Sequence, residues 1–185
     1  MQTSNEATSR IIYRIDSSDR LIQVDDGWRR FAEANRAWEL AGDSILGRSL
    51  WDFLQDSETR DIFSALLAKV RARQSPLSFP LRCDSPDTRR YLRLTLSPIP
   101  DEGVEFVSET IRTEKRTRIG LLDVTGGKTK DFIRICSWCK RVEVPGGWTE
   151  VEFAIAILGL FDESPLPQLS HSICPDCREE VDTDH

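Results

Sequence analysis

The spacing of hydrophobic positions changes several times along the chain, and each change predicts an element. Ile11 to Asp16 and Leu21 to Val24 are β-branched or apolar runs separated by Ser17-Ser18-Asp19, the pattern of two strands joined by a turn. Asp25-Asp26 can then cap a helix in which Trp28, Phe31, Ala32, Asn35 and Trp38 recur near a 3.6-residue period, ending around Gly42. A short aromatic segment, GRSLWDFL from Gly47, precedes a second helix beginning near Asp56. Its apolar stripe is Ile62, Phe63, Leu66, Leu67 and Val70, and its other face is charged.

After Gln74-Ser75-Pro76 the period becomes two. Leu77, Phe79, Leu81 and Cys83 share one face of a strand in which Pro80 points to an edge or bulge, and Asp84-Ser85-Pro86-Asp87 turns the chain. A strand from Tyr91 to Ser97 carries Leu92, Leu94 and Leu96 on one side, and after Pro100-Asp101-Glu102-Gly103 a last strand runs from Val104 to about Ile111. Helices grouped between two sets of strands give an α+β domain, an antiparallel sheet with helices on one face.

This order, with the stretches YRIDSSDRLIQVDDGW and GRSLWDFL, resembles the PAS family over about residues 11–111. The resemblance implies a five-stranded antiparallel sheet cupping helices, a sensory or interaction role, often a small ligand between sheet and helices, and pairing into a homodimer through the PAS surfaces. It leaves the pocket ligand and its contacts unknown. The only histidines, His171 and His185, lie outside the region, so histidine-ligated haem is not expected. The flavin photoreceptors of the family use a cysteine in a helical NCRFLQ-like motif, whereas Cys83 stands in LRCDSP at a strand end, so covalent flavin photochemistry is not expected either. As the continuation of an apolar stripe, Cys83 reads as a buried structural thiol.

The remaining four cysteines form two CxxC pairs, Cys136-Ser137-Trp138-Cys139 and Cys174-Pro175-Asp176-Cys177. Two intervening residues let the backbone turn so that both sulfurs face one point, and two such turns supply a tetrahedral thiolate site, for which zinc is the expected ion. The roughly fifty residues from Asp131 onward are near the size at which a small unit needs a staple, and a metal supplies folding free energy directly. Trp148, Val151, Ile155 and Leu158 fall at helical spacing after Thr149, which with Glu152 makes a capping-box pattern, and Pro175 suits a helix start. His171 is placed outside the first ligand shell, as a hydrogen-bond donor to a metal-bound sulfur. An iron site or iron–sulfur cluster is the alternative, weakened because rubredoxin-type knuckles carry glycine soon after the second cysteine, where this chain has Lys140-Arg141 and Arg178-Glu179. ICSWCKRV through LPQLSHSICPDCREE, about residues 133–180, also resembles a cysteine-rich tail of some bacterial signalling proteins.

Composition narrows the function class. Five cysteines, four of them in CxxC pairs, suit metal binding in a reducing compartment, and MQTSNEATSR lacks the basic start and apolar stretch of a secretion signal. The longest apolar run, Phe153 to Phe161, is short of a bilayer span, so the chain reads as cytoplasmic with no membrane partner. A net charge of −6 opposes general nucleic-acid binding, but nine basic residues between Thr110 and Arg141 face only Glu114, Asp123 and Asp131, a local charge of +6. Gly127-Lys128-Thr129 lacks the upstream glycine of a phosphate loop, since position 122 is Leu122, and no nucleophile–histidine arrangement is recognisable, so no catalytic residue is assigned and an enzyme is not expected. The expected organisation is a disordered N-terminus over 1–10, a PAS-like sensor domain over 11–111, a linker over 112–130, and a small metal-stapled α/β module over 131–185. The expected function is a bacterial signalling sensor or adaptor whose zinc module docks a signalling protein. The alternative is a nucleic-acid-binding transcriptional regulator using that module and the basic segment 110–141.

Overall fold

The computed structural model describes residues 10–34, 37–54, 56–123, 128–160 and 165–183. Most of the expected disordered N-terminus, Asn35 of the first expected helix and residues 124–127 of the expected linker lie outside them. The chain divides into two compact units, residues 1–80 with 92–111, and residues 81–91 with 112–185.

The first unit carries a sheet of five strands in the order β2-β1-β5-β4-β3: β1 Arg10–Ile15, β2 Leu21–Val24, β3 Leu77–Arg82, β4 Thr88–Ile99 and β5 Gly103–Lys115. β1 pairs antiparallel with both β2 and β5, with Tyr13 opposite Val24 on one side and Phe106 on the other. Tyr13 stacks on Phe106 at 4.5 Å between ring centroids and meets the Trp28 ring edge-on at 5.2 Å. The helix expected over Asp26 to Gly42 is two pieces, α1 Asp26–Ala34 and α2 Trp38–Ala41. Asp25 accepts the Trp28 backbone N–H at 2.8 Å and caps α1, and the Trp28 indole donates to the Leu40 carbonyl. Gly27 lets α1 approach β1 closely, since a Cβ there would sit 2.2 Å from the Arg10 carbonyl oxygen. Of the residues expected on the packed stripe, Ala32 is buried, but Phe31 and Trp38 are 38% and 65% exposed.

The long helix α3, Ser57–Arg73, follows its sequence pattern closely. Asp56 accepts the Thr59 backbone N–H at 2.7 Å, Ile62, Phe63, Leu66, Leu67 and Val70 are buried, and Gln74 ends the helix in a left-handed conformation. Arg71 ties the helix end to two turns, donating to Asp19 at 2.7 Å and to the Glu102 carbonyl at 2.8 Å. The core of this unit includes Ile15, Leu67, Val70, Leu96, Val104 and Phe106, all less than 2% exposed.

The second unit has its own sheet in the order β8-β7-β6-β9, from β6 Lys128–Cys136, β7 Val142–Val144, β8 Gly147–Thr149 and β9 Leu166–Ser172. β7 pairs antiparallel with β6 and β8, whereas β6 and β9 run parallel. Between β8 and β9 lies α4, Val151–Ile157, and the last helix is α5, Pro175–Thr183. A small core joins Ile119, Leu121, Ile135, Val142, Val151, Ala154 and Leu160.

The segment expected as a linker over 112–130 is structured where described. β5 continues to Lys115, Gly120–Leu122 forms a 3-10 turn, and β6 begins at Lys128, with Leu121 only 1% exposed. The strand ends 81–91 also belong to this second unit. The apolar stripe expected in β3 breaks there: Leu77 and Phe79 are buried, but Leu81 and Cys83 are half-buried, and Arg82 takes the buried place. Among the described residues no helix is long and apolar enough to cross a membrane.

Candidate metal centre

Both CxxC pairs sit at strand-to-turn transitions. β6 delivers Cys136, the chain turns through Ser137 and Trp138 to Cys139, and β9 delivers Cys174 just before Pro175 opens α5, whose first turn holds Cys177. Parallel pairing of Cys136 with Ser172 brings the two strand ends side by side, and the Ser137 N–H donates to the Ser172 carbonyl at 2.7 Å. The four sulfurs of Cys136, Cys139, Cys174 and Cys177 lie within 4.8 Å of one another, and none of the four is in a disulfide.

The donor set fits a tetrahedral ion. With metal–sulfur bonds of about 2.3 Å, a tetrahedron has edges of about 3.8 Å, and Cys139 Sγ and Cys174 Sγ stand 3.7 Å apart. Cys136 Sγ accepts backbone N–H groups from Trp138 at 3.4 Å, Cys139 at 3.5 Å and Cys174 at 3.4 Å, so the amides of both knuckles converge on one sulfur. Such donors stabilise thiolate charge.

Without a cation the four sulfurs cannot all ionise. Hydrogen bonds from the Cys139 and Cys177 thiols, aided by the backbone amides, pull the Cys136 thiol well below its ordinary range. Burial, together with the neighbouring thiolate charges, pushes Cys174 up to about 11, and Cys177 is driven upward by its hydrogen bonds to Cys136 and Cys139 and by burial. A divalent cation held by the four sulfurs would neutralise this repulsion and cross-link the two knuckles.

The surroundings support the turns. The Cys136 N–H donates to the Arg141 carbonyl and the Lys140 N–H to the Cys136 carbonyl, closing the first knuckle, and Arg141 bonds Asp176 of the second at 2.7 Å. Lys140 adopts φ 61°, the left-handed conformation that glycine fills in rubredoxin-type knuckles. The knuckle therefore forms without glycine, and the missing glycine does not separate zinc from iron. Burial lowers the Lys140 ammonium pKa, opposed by the charges of Cys83, Cys136 and Asp84, and its Nζ donates to the Ser137 carbonyl. His171 is exposed on β9, opposite Ile135, and is not among the four clustered ligands.

An ion network that the sequence did not reveal lies in the same unit. Arg82, 9% exposed at its side chain, bonds both carboxylate oxygens of Glu150 at 2.8 Å and reaches Asp84 at 2.5 Å. Arg116 bonds Asp84 and Glu152, each at 3.2 Å, and Arg89 bonds Glu152 at 2.9 Å. The Arg82 backbone N–H also donates to the Trp138 carbonyl inside the first knuckle, at 2.9 Å. The expected Thr149–Glu152 capping box is absent: Glu150 is the N-cap residue of α4, without a side-chain capping bond, because Glu150 and Glu152 face the arginines. The signal was present as Arg82, Asp84, Arg89 and Arg116, but opposite charges far apart in sequence read as solvated surface.

A five-stranded antiparallel sheet with helices in one unit, and a cluster of four thiols that could hold a metal ion in the other, define an α+β protein of PAS-like fold. The PAS fold family model matches residues 15–116, more than half of the chain, and the protein belongs to that family. Family membership carries a sensory or signalling role. None of the curated proteins compared with the chain matches it.

Proposed function

We propose that the protein is a bacterial cytoplasmic signalling sensor or adaptor that acts by contact rather than by catalysis, with a structural zinc ion on Cys136, Cys139, Cys174 and Cys177 shaping a surface that docks a signalling partner. The observation that carries this reading is the shared construction of the second unit. The ends of β3, β4 and β5 enter it, the Arg82 amide bonds the knuckle carbonyl of Trp138, and three arginines from those strand ends and the residues after β5 meet Asp84 and the acidic start of α4. A change in the strands of the family domain therefore has a direct physical route to the metal module. Pairing of two copies through the family domain completes the proposal.

Charge supports a protein partner over a nucleic acid. From Asp131 onward, four Lys and Arg stand against eleven Asp and Glu. Within 110–141, Arg112, Arg116, Arg118, Arg134 and Arg141 are each engaged by a carboxylate. Phosphate binding would first have to break those pairs.

The test is metal analysis with an absorption spectrum, followed by chelation under reducing conditions while amide exchange is recorded. About one zinc per chain, no visible band, and loss of protection at the Arg82 amide on chelation are expected. A coloured iron protein would move the role toward redox sensing, and an Arg82 amide indifferent to chelation would remove the proposed route. Salt-sensitive retention on nucleic acid would favour the alternative regulator.

A further inference from the structure

Helix α4 has two faces of opposite character. Val151 and Ala154 are fully buried in the core of the second unit, whereas Phe153 and Ile157 are 64% and 56% exposed, and Ala156 is exposed beside them. Phe153, Ala156 and Ile157 stand at i, i+3 and i+4, so all three fall on one side of the helix. The only charged residues between 150 and 160 are Glu150 and Glu152, and both bond arginines. The exposed side is therefore an apolar ridge without a charge of its own.

Phe132 makes the contrast. It is equally exposed, at 64%, but it stands on β6 in register with Gln168 of β9, next to the exposed Asp131 and two positions before Arg134, which pairs with Glu143. A single apolar side chain among polar ones is ordinary surface, whereas adjacent ones on one element mark a contact site.

Area decides what kind of contact fits the ridge. Two side chains exposed to this extent offer on the order of 250 Å², against about 800 Å² that each partner buries in a stable interface. Two copies meeting through α4 alone fall well short of a stable dimer. A concave partner closes more area around the same ridge, and apolar anchors at i, i+3 and i+4 are the pattern that a helix presents to a groove.

We propose that α4 is the docking element, with Phe153, Ala156 and Ile157 entering an uncharged apolar groove between two helices of a partner protein. This rests on the contact-signalling reading and names its surface. Phe153 is the anchor, since a large aromatic side chain at the centre of a small contact carries most of its free energy. The first turn of the same helix is gripped by Arg82 from β3, Arg89 from β4 and Arg116 from just beyond β5, so a movement of those strand ends reaches the ridge directly.

The experiment places the photoreactive residue benzoylphenylalanine at position 153, and separately at position 132, in the full-length protein made at its own level in its native cells, and maps adducts by peptide mass spectrometry. Position 153 is expected to give one discrete adduct on apolar helical residues of another protein, and position 132 none. Ile157→Ser is expected to reduce the yield at position 153 at least about fivefold. Metal content and the amide protection of Val151 and Ala154 should stay unchanged in that variant, which separates lost docking from lost folding. The proposal is overturned if position 153 gives no discrete adduct, if its adduct lies on a second copy or on the first unit of the same chain, or if Ile157→Ser leaves the yield unchanged. An adduct at position 132 alone overturns this surface and leaves contact signalling standing, whereas no adduct at either position counts against both.

Discussion

The first unit and the second reach a folded state by different means. In the first, large side chains do most of the stabilising: Phe106, Ile15, Leu67 and Leu96 are essentially inaccessible, α3 lays five apolar residues along one stripe, and caps close both its ends. In the second, the apolar cluster comprises seven buried residues, one of them only Ala154, and the interior is shared with four sulfurs and a network of six charged side chains. A small unit with so little apolar volume needs other links; the buried ion pairs supply some, and the four clustered sulfurs could hold a metal ion that supplies more. The difference also bears on signalling, since thiolates and charges respond to ions, redox state and pH, which a hydrocarbon core ignores.

The strongest way to break the comparison is at a ligand sulfur. Cys177→Ser, or metal removal, is expected to unfold the second unit while β1, β2 and α3 keep their amide protection, because metal binding supplies on the order of 10 kcal/mol of folding free energy in such sites. Loss of protection in both units together would mean that they share one stability. Leu96→Ala should do the reverse, lowering first-unit stability by about 4 kcal/mol in denaturant titration without changing the metal-to-protein ratio.

Asp84→Asn addresses the charge network. Its carboxylate is 1% exposed and receives two arginines, so neutralising it leaves buried positive charge poorly compensated, and about 3 kcal/mol should be lost from the second unit. A change below about 0.5 kcal/mol would show that the network is ornamental to stability.

The smallest effect concerns pH. Burial opposes ionisation of Glu152, but its own backbone N–H and the charges of Arg89 and Arg116 outweigh burial and hold its pKa below the ordinary value of a glutamate. Its contribution is therefore complete above the ordinary carboxylate range and disappears as pH falls through the lowered folded value. Glu152→Gln should flatten the acid side of the second unit's stability profile by less than about 1 kcal/mol, measured as urea midpoint against pH, with the parent as reference. A profile equally steep in the variant would assign the acid sensitivity to the thiolates.

The two units were also unequally legible in the sequence. α3 and the strand positions of the first unit follow from local periodicity, whereas the pairing of β1 with β5, which sets Arg10 opposite Glu109, has no local signal, and the five-stranded sheet it completes was implied by the family resemblance alone. The four cysteines were legible through spacing alone. The second sheet was not, since β7 and β8 have only three residues each on either side of Pro145-Gly146, and β9 pairs in parallel with a strand more than thirty positions earlier, a pairing that no turn announces. The inward turn of Arg82 was hidden because it depends on Glu150, 68 positions later. The left-handed Lys140 was hidden as well, because tertiary contacts impose a backbone conformation that its side chain does not favour.

X-ray absorption at the metal edge of the purified full-length protein reads the shared coordination directly. We expect zinc with four sulfur ligands at about 2.3 Å and no nitrogen or oxygen in the first shell. Fewer than four sulfurs, or cysteines recovered as disulfides with no bound metal, would contradict the account.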